Sequence, residues 1–119
     1  MIPEAEALSL QSLITATEQG IASRVLARTG GGNVTLFAFD AGQGLTEHTT
    51  AFDALALVLS GTLTLTIGGK SVAADEGTIV RLPANVPHAV DAPEPARMLL
   101  IMLREPAAAH SPPPRPPRE

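Results

Sequence analysis

Two histidines, His48 and His88, are the residues of this chain best suited to chemistry, and each stands where the chain leaves or enters an apolar segment. An imidazole pair can ligate a divalent metal, move a proton, or line a pocket as neutral hydrogen-bonding rings. A catalytic metal needs about three protein ligands, so two imidazoles call for a carboxylate partner. Glu47 and Asp53 are the candidates. Neighbouring side chains on an extended strand point to opposite faces, so an inward His48 sends Glu47 outward unless a bulge intervenes. Asp53 lies where a loop meets a strand, and its simplest role is to cap that turn by accepting backbone N–H bonds. No residue is placed in sequence to fix the tautomer of either histidine. The chain has no cysteine, which removes thiolate chemistry, disulfides and Cys-based zinc sites.

The elements that must position these residues read mainly as strands. Leu10, Leu13 and Ile14 have the spacing of one helical turn, with Ser9 as its cap, and predict a short helix ending by Gly20. From Ile21 the pattern changes. Ile21–Thr29 and Val34–Asp40 are apolar-rich and flank Gly30-Gly31-Gly32-Asn33, a hairpin turn rather than a phosphate loop, since no GK[ST] or helix follows. Leu63, Leu65 and Ile67 alternate with Thr62, Thr64 and Thr66, the mark of a half-buried strand, and Gly68-Gly69 turns it into Lys70–Ala74. Further strands are expected at Ala54–Leu59, Thr78–Leu82, His88–Asp91 and Arg97–Arg104. Pro83 and Pro87 make the segment between Leu82 and His88 a rigid loop. Seven to nine short strands with closely spaced turns predict an antiparallel sandwich or barrel.

The two histidine segments resemble the paired motifs of the cupin superfamily. The first motif, G-x5-H-x-H-x3/4-E-x6-G, is matched by Gly42, His48 and Gly61, with Thr50 at its second histidine and Ala54 at its glutamate. The second, G-x5-P-x-G-x2-H-x3-N, is matched by Gly77, Pro83 and His88, with Asn85 for the glycine and Ala92 for the asparagine. His48-Thr49-Thr50-Ala51-Phe52-Asp53-Ala54-Leu55, Pro83-Ala84-Asn85-Val86-Pro87-His88-Ala89-Val90 and Met98-Leu99-Leu100-Ile101-Met102 look most like a subgroup of short single-domain bacterial cupins. The resemblance implies an all-β, small antiparallel jelly-roll barrel, with at most one short N-terminal helix. It also implies that two of the four usual metal-ligand positions are lost. Residues 1–20 form the N-terminal segment, 21–104 the barrel, and 105–119 a disordered proline-rich tail carrying an idle His110.

Strand parity adds an inference about the pocket. If Ala54 faces the cavity, so do Ala56 and Val58, leaving a modest apolar pocket open at the histidine end. Leu55, Leu57 and Leu59 then form an outer stripe that another sheet or another subunit must cover, which predicts a homodimer packed sheet on sheet. Aromatic residues make up only 3% of the chain, so the core is expected to be aliphatic, built from Leu, Val, Ile and Ala around Phe37, Phe39 and Phe52.

A formal net charge of −4 and a single lysine, Lys70, argue against nucleic-acid binding. Glu4 and Glu6 stand where a signal peptide needs basic residues, and no apolar run spans a membrane, so a cytoplasmic location is expected. Three functions compete. The leading one is a small-molecule binding module without a resident metal or other cofactor, its pocket lined by His48, Thr50, Phe52 and His88. The alternative is an enzyme. In one form His48 and His88, with Glu47 or Asp53 as third ligand, hold iron, manganese, zinc or nickel for dioxygenase or isomerase chemistry. In another, one histidine acts alone as acid–base catalyst. The third is a purely assembling role with a vestigial pocket. Whether the chain catalyses anything is left open by its residues.

Overall fold

The computed structural model describes residues 1–104, so the expected tail and His110 lie outside the described residues. Nine strands follow one another: β1 Ile21–Thr29, β2 Gly32–Phe39, β3 Gly44–His48, β4 Asp53–Ser60, β5 Leu63–Ile67, β6 Lys70–Ala74, β7 Ile79–Leu82, β8 His88–Asp91 and β9 Ala96–Leu103. They form a five-stranded sheet in the order β1-β2-β9-β4-β7 and a four-stranded sheet in the order β3-β8-β5-β6, with every pairing antiparallel. The all-β barrel expected from the turn spacing is therefore present.

The alternation in β5 shows why. Leu63 and Leu65 are fully buried while Thr64 and Thr66 stay half-exposed, so one face of the strand supplies core and the other meets water. Gly68 and Gly69 both take positive φ, at 56° and 86°, which suits the two-residue hairpin into β6. The interior lies between the sheets and is filled by Phe39, Ala54, Ala56, Val58, Leu63, Leu65, Leu82, Val90 and Met98. Ala54, Ala56 and Val58 face inward as parity required, and Phe37 stacks beside Phe39 with ring centroids 6.0 Å apart.

Three expectations are corrected. The N-terminal segment forms only a single 3-10 turn at Leu10–Ser12, and Ser9 makes no side-chain capping bond. Leu10 is exposed, and Ile14 is the residue that anchors the segment by burial. One turn without a cap gains too few hydrogen bonds to offset helix nucleation. Second, the outer leucine stripe does not wait for another sheet or subunit along its whole length. Ile14 joins Leu26, Leu36 and Ala38 in a second buried cluster, with Leu13, Ala16, Leu59 and Leu99 packed against it. Two arginines of the outer face hold this strap, Arg24 donating to the Leu13 carbonyl at 3.1 Å and Arg97 to that of Ile14 at 3.4 Å. Third, Phe52 belongs to neither buried cluster; it is half-buried beneath the guanidinium of Arg104, whose carbon lies 4.6 Å from the ring centre.

Candidate ligand site at the barrel mouth

The inward-facing residues are not equally buried along the barrel. Leu63, Leu65, Val58 and Met98 are closed off from solvent, whereas Phe37, Leu45, Ile67, Leu100 and Met102 are only partly buried. The register places Ile67, Leu100 and Met102 toward the histidine end, where Ile67 pairs with His88, His88 with His48, and Ala54 with Met102, whereas Phe37 pairs with Met98 and Leu45 with Val90, farther along the barrel. The interior is thus less fully closed toward the two imidazoles than around Leu63 and Met98. Leu45, Ile67, Leu100 and Met102 were not picked out as site residues from sequence. Parity along β9 from the buried Met98 was the available signal.

His48 and His88 do meet. They are directly opposite on β3 and β8, their ring centroids are 4.5 Å apart, and the rings cross edge to face at 66°. His88 is buried and His48 exposed. The register shifts between Leu45 and His48, so β3 carries a bulge just before the histidine. An irregular, largely polar edge strand hides its own periodicity, which is why Gly44–His48 read as a turn.

Each tautomer is held not by a side-chain dyad but by a backbone carbonyl two residues earlier in the chain. Nδ1 of His48 lies 2.8 Å from the Thr46 carbonyl oxygen, and Nδ1 of His88 lies 3.2 Å from that of Val86. A carbonyl oxygen only accepts, so in both rings Nδ1 donates and Nε2 is left free. A neutral pair therefore offers two Nε2 lone pairs. Burial lowers the pKa of His88 below its ordinary 6.5, the hydrogen bond to Val86 opposes this, and the neighbouring His48 pushes it down further.

The other expected site residues do different work. Thr50 turns its hydroxyl into the loop, donating to the Phe52 carbonyl at 3.1 Å, while its own carbonyl accepts from the Asn85 N–H at 2.7 Å. The Asp53 carboxylate accepts from the Ala84 N–H at 2.8 Å and from Arg81 at 2.9 Å, as the turn-capping reading required. These bonds, the backbone one first, hold the Asp53 pKa below its ordinary 3.8. Glu47 is exposed. Asn85 has φ of 64°, so the asparagine standing at a motif glycine keeps the left-handed turn that glycine would supply. The two histidine loops are thereby tied to each other through Thr50–Asn85 and Asp53–Ala84.

Among the described residues no three of His, Cys, Asp and Glu gather closely enough to hold a metal ion. Two imidazoles with Thr50 and Ala54 at the remaining positions do not make the donor set that a resident divalent metal needs. No helix among the described residues is long and apolar enough to cross a membrane.

Comparison with known proteins agrees with this architecture. A conserved protein of unknown function from Streptococcus pyogenes is 31% identical, with a TM-score of 0.84 over 89% of this chain and 93% of that one. A cupin superfamily protein from Desulfitobacterium hafniense is 29% identical, with a TM-score of 0.81 over 87% and 95% of the two chains. A Cupin 2 conserved barrel domain protein from Leptotrichia buccalis is 33% identical and has a TM-score of 0.78, but this chain covers only 47% of it. No protein of curated function matches significantly. The model of the cupin domain family matches residues 35–102. With its two glycine-framed histidine loops at the open end of a jelly-roll barrel, the chain belongs to the cupin family.

Proposed function

We propose that this cupin is a binding module whose open mouth takes a small hydroxylated organic molecule without a resident metal. The observation that carries the reading is a pair of imidazoles with ring centroids 4.5 Å apart whose Nδ1 atoms are both taken by backbone carbonyls, leaving both Nε2 atoms available. Neutral Nε2 accepts hydrogen bonds, so a ligand that donates from adjacent hydroxyls suits the pair, as in a sugar or polyol. A carboxylate needs a protonated ring instead, and the lowered pKa of His88 works against that near neutral pH. The aliphatic half of the ligand would lie on Ile67, Leu100 and Met102.

The enzyme reading has one observation in its favour. A backbone carbonyl on Nδ1 is how metal-ligating histidines are commonly oriented. Elemental analysis of untagged protein separates the two readings. Near-stoichiometric iron, manganese, zinc or nickel that disappears in the His48→Ala, His88→Ala double variant overturns the metal-free module. Thermal stabilisation by a hydroxylated ligand in chelated protein, lost in the double variant, supports it.

The same reading includes a second copy of the chain. Leu55, Leu57 and Ile101 remain half-buried on the outer face beyond the strap, beside Ile79 and Leu103, which are 57% and 51% exposed. A self-complementary patch on one sheet face suits a two-fold dimer, in which each copy covers the other. A monomeric mass in light scattering at micromolar concentration removes this part of the proposal.

A further inference from the structure

Among the described residues, the only buried side-chain nitrogen or oxygen without a hydrogen-bond partner is Nε of Arg97. Arg97 stands on β9 between Ala38 of β2 and Ser60 of β4, on the outer face and at the opposite end of β9 from the histidine mouth. The N-terminal strap crosses over it, and Nη2 donates to the Ile14 carbonyl at a long 3.4 Å. The only ion pair among the described residues is Arg81–Asp53, so no carboxylate compensates this guanidinium. Beside it is a cavity of about 90 Å³ walled by Ala16, Ala38, Phe39, Ser60, Pro95 and Ala96.

A guanidinium stays charged at any physiological pH, and leaving a buried N–H of a charged group unpaired is costly. Nε and Nη2 share one edge of the guanidinium plane, and two parallel donors on one edge match the two oxygens of a carboxylate. Water would supply an acceptor but no opposite charge. At roughly 30 Å³ per water-sized group, the cavity has room for about three such groups. That admits a carboxylate with one carbon substituent. Ser60 is the one hydroxyl-bearing residue on the wall of this cavity.

We propose that the space beneath the N-terminal strap is an anion site in which Nε and Nη2 of Arg97 bind a small carboxylate of about acetate size. The occupant joins the strap to β9, because Arg97 also holds the Ile14 carbonyl. The site is separate from the barrel mouth and does not depend on what binds there.

The test is a titration of the full chain with sodium acetate, read on the Arg97 Nε–H resonance, against sodium chloride at equal ionic strength. The expected result is a saturable shift in acetate only, accompanied by the amides of Ala16, Ser60 and Ala96. The thermal midpoint should rise in acetate for the wild type and stay flat for Arg97→Met. If Arg97→Met does not fold, Arg97→Lys retains the charge but loses the two-donor edge, and acetate should bind it about tenfold more weakly. A resonance that stays still at saturating acetate, or moves equally in chloride, overturns the proposal. So does a thermal gain that survives in Arg97→Met, or one that saturates at the wild-type acetate concentration in Arg97→Lys.

Discussion

The two ends of this barrel are built from the same strands but resolve the same packing problem differently. At the closed end Leu63, Leu65 and Met98 interdigitate with no exposure to solvent. Toward the histidine end Ile67, Leu100 and Met102 point the same way from the same strands and remain half-buried. The difference lies in the connections. The open end is rimmed by loops held to one another, through Asn85 to Thr50 and Ala84 to Asp53, rather than filled by side chains. Polar cross-ties keep a mouth open where apolar packing would close it.

Truncation is the strongest way to break that contrast. Leu65→Ala empties a fully buried site and should cost about 2–5 kcal/mol in chemical denaturation. Leu100→Ala, at the mouth, should cost well under half as much, because solvent already reaches the position and no closed cavity is left. Equal losses would mean that the mouth is packed core and not a binding surface.

A smaller effect comes from acid. Folded His88 has a lowered pKa, so the unfolded chain takes up its proton first. Its contribution to stability is complete above pH 6.5 and declines as pH falls toward the lower folded value. Asp53 behaves in the same direction at lower pH: its contribution is present above 3.8 and is lost as pH falls through the depressed folded value. Denaturation midpoints measured from pH 8 to pH 2 should show two successive declines. Asp53→Asn should remove the lower one and leave the upper one intact. A lower decline unchanged in that variant would detach Asp53 from the loop tie.

Much of this was legible in the chain. The threonine–leucine alternation of β5, the paired glycines before Lys70 and the prolines around Asn85 are local signals, and each dictated its own element. Phe52 was misplaced because an aromatic residue in a chain with few of them reads as core, while its actual partner, Arg104, is far away in sequence. The expected short N-terminal helix is no more than one 3-10 turn for a related reason. Leu13 and Ile14 do have a buried side, but it is defined by Leu36 and Leu99 on the sheet below and not by helical spacing.

The sequence by itself determined the barrel, its turns and the positions at which the two histidines enter it, because short-range periodicity and turn chemistry are enough for those. Only the tertiary structure decided which nitrogen of each ring is free, that Arg81 joins Ala84 on the Asp53 carboxylate, and that the N-terminal segment packs against Leu59 and Leu99 of the outer face. Each of these depends on contacts between strands distant in the chain, whose register no single segment encodes.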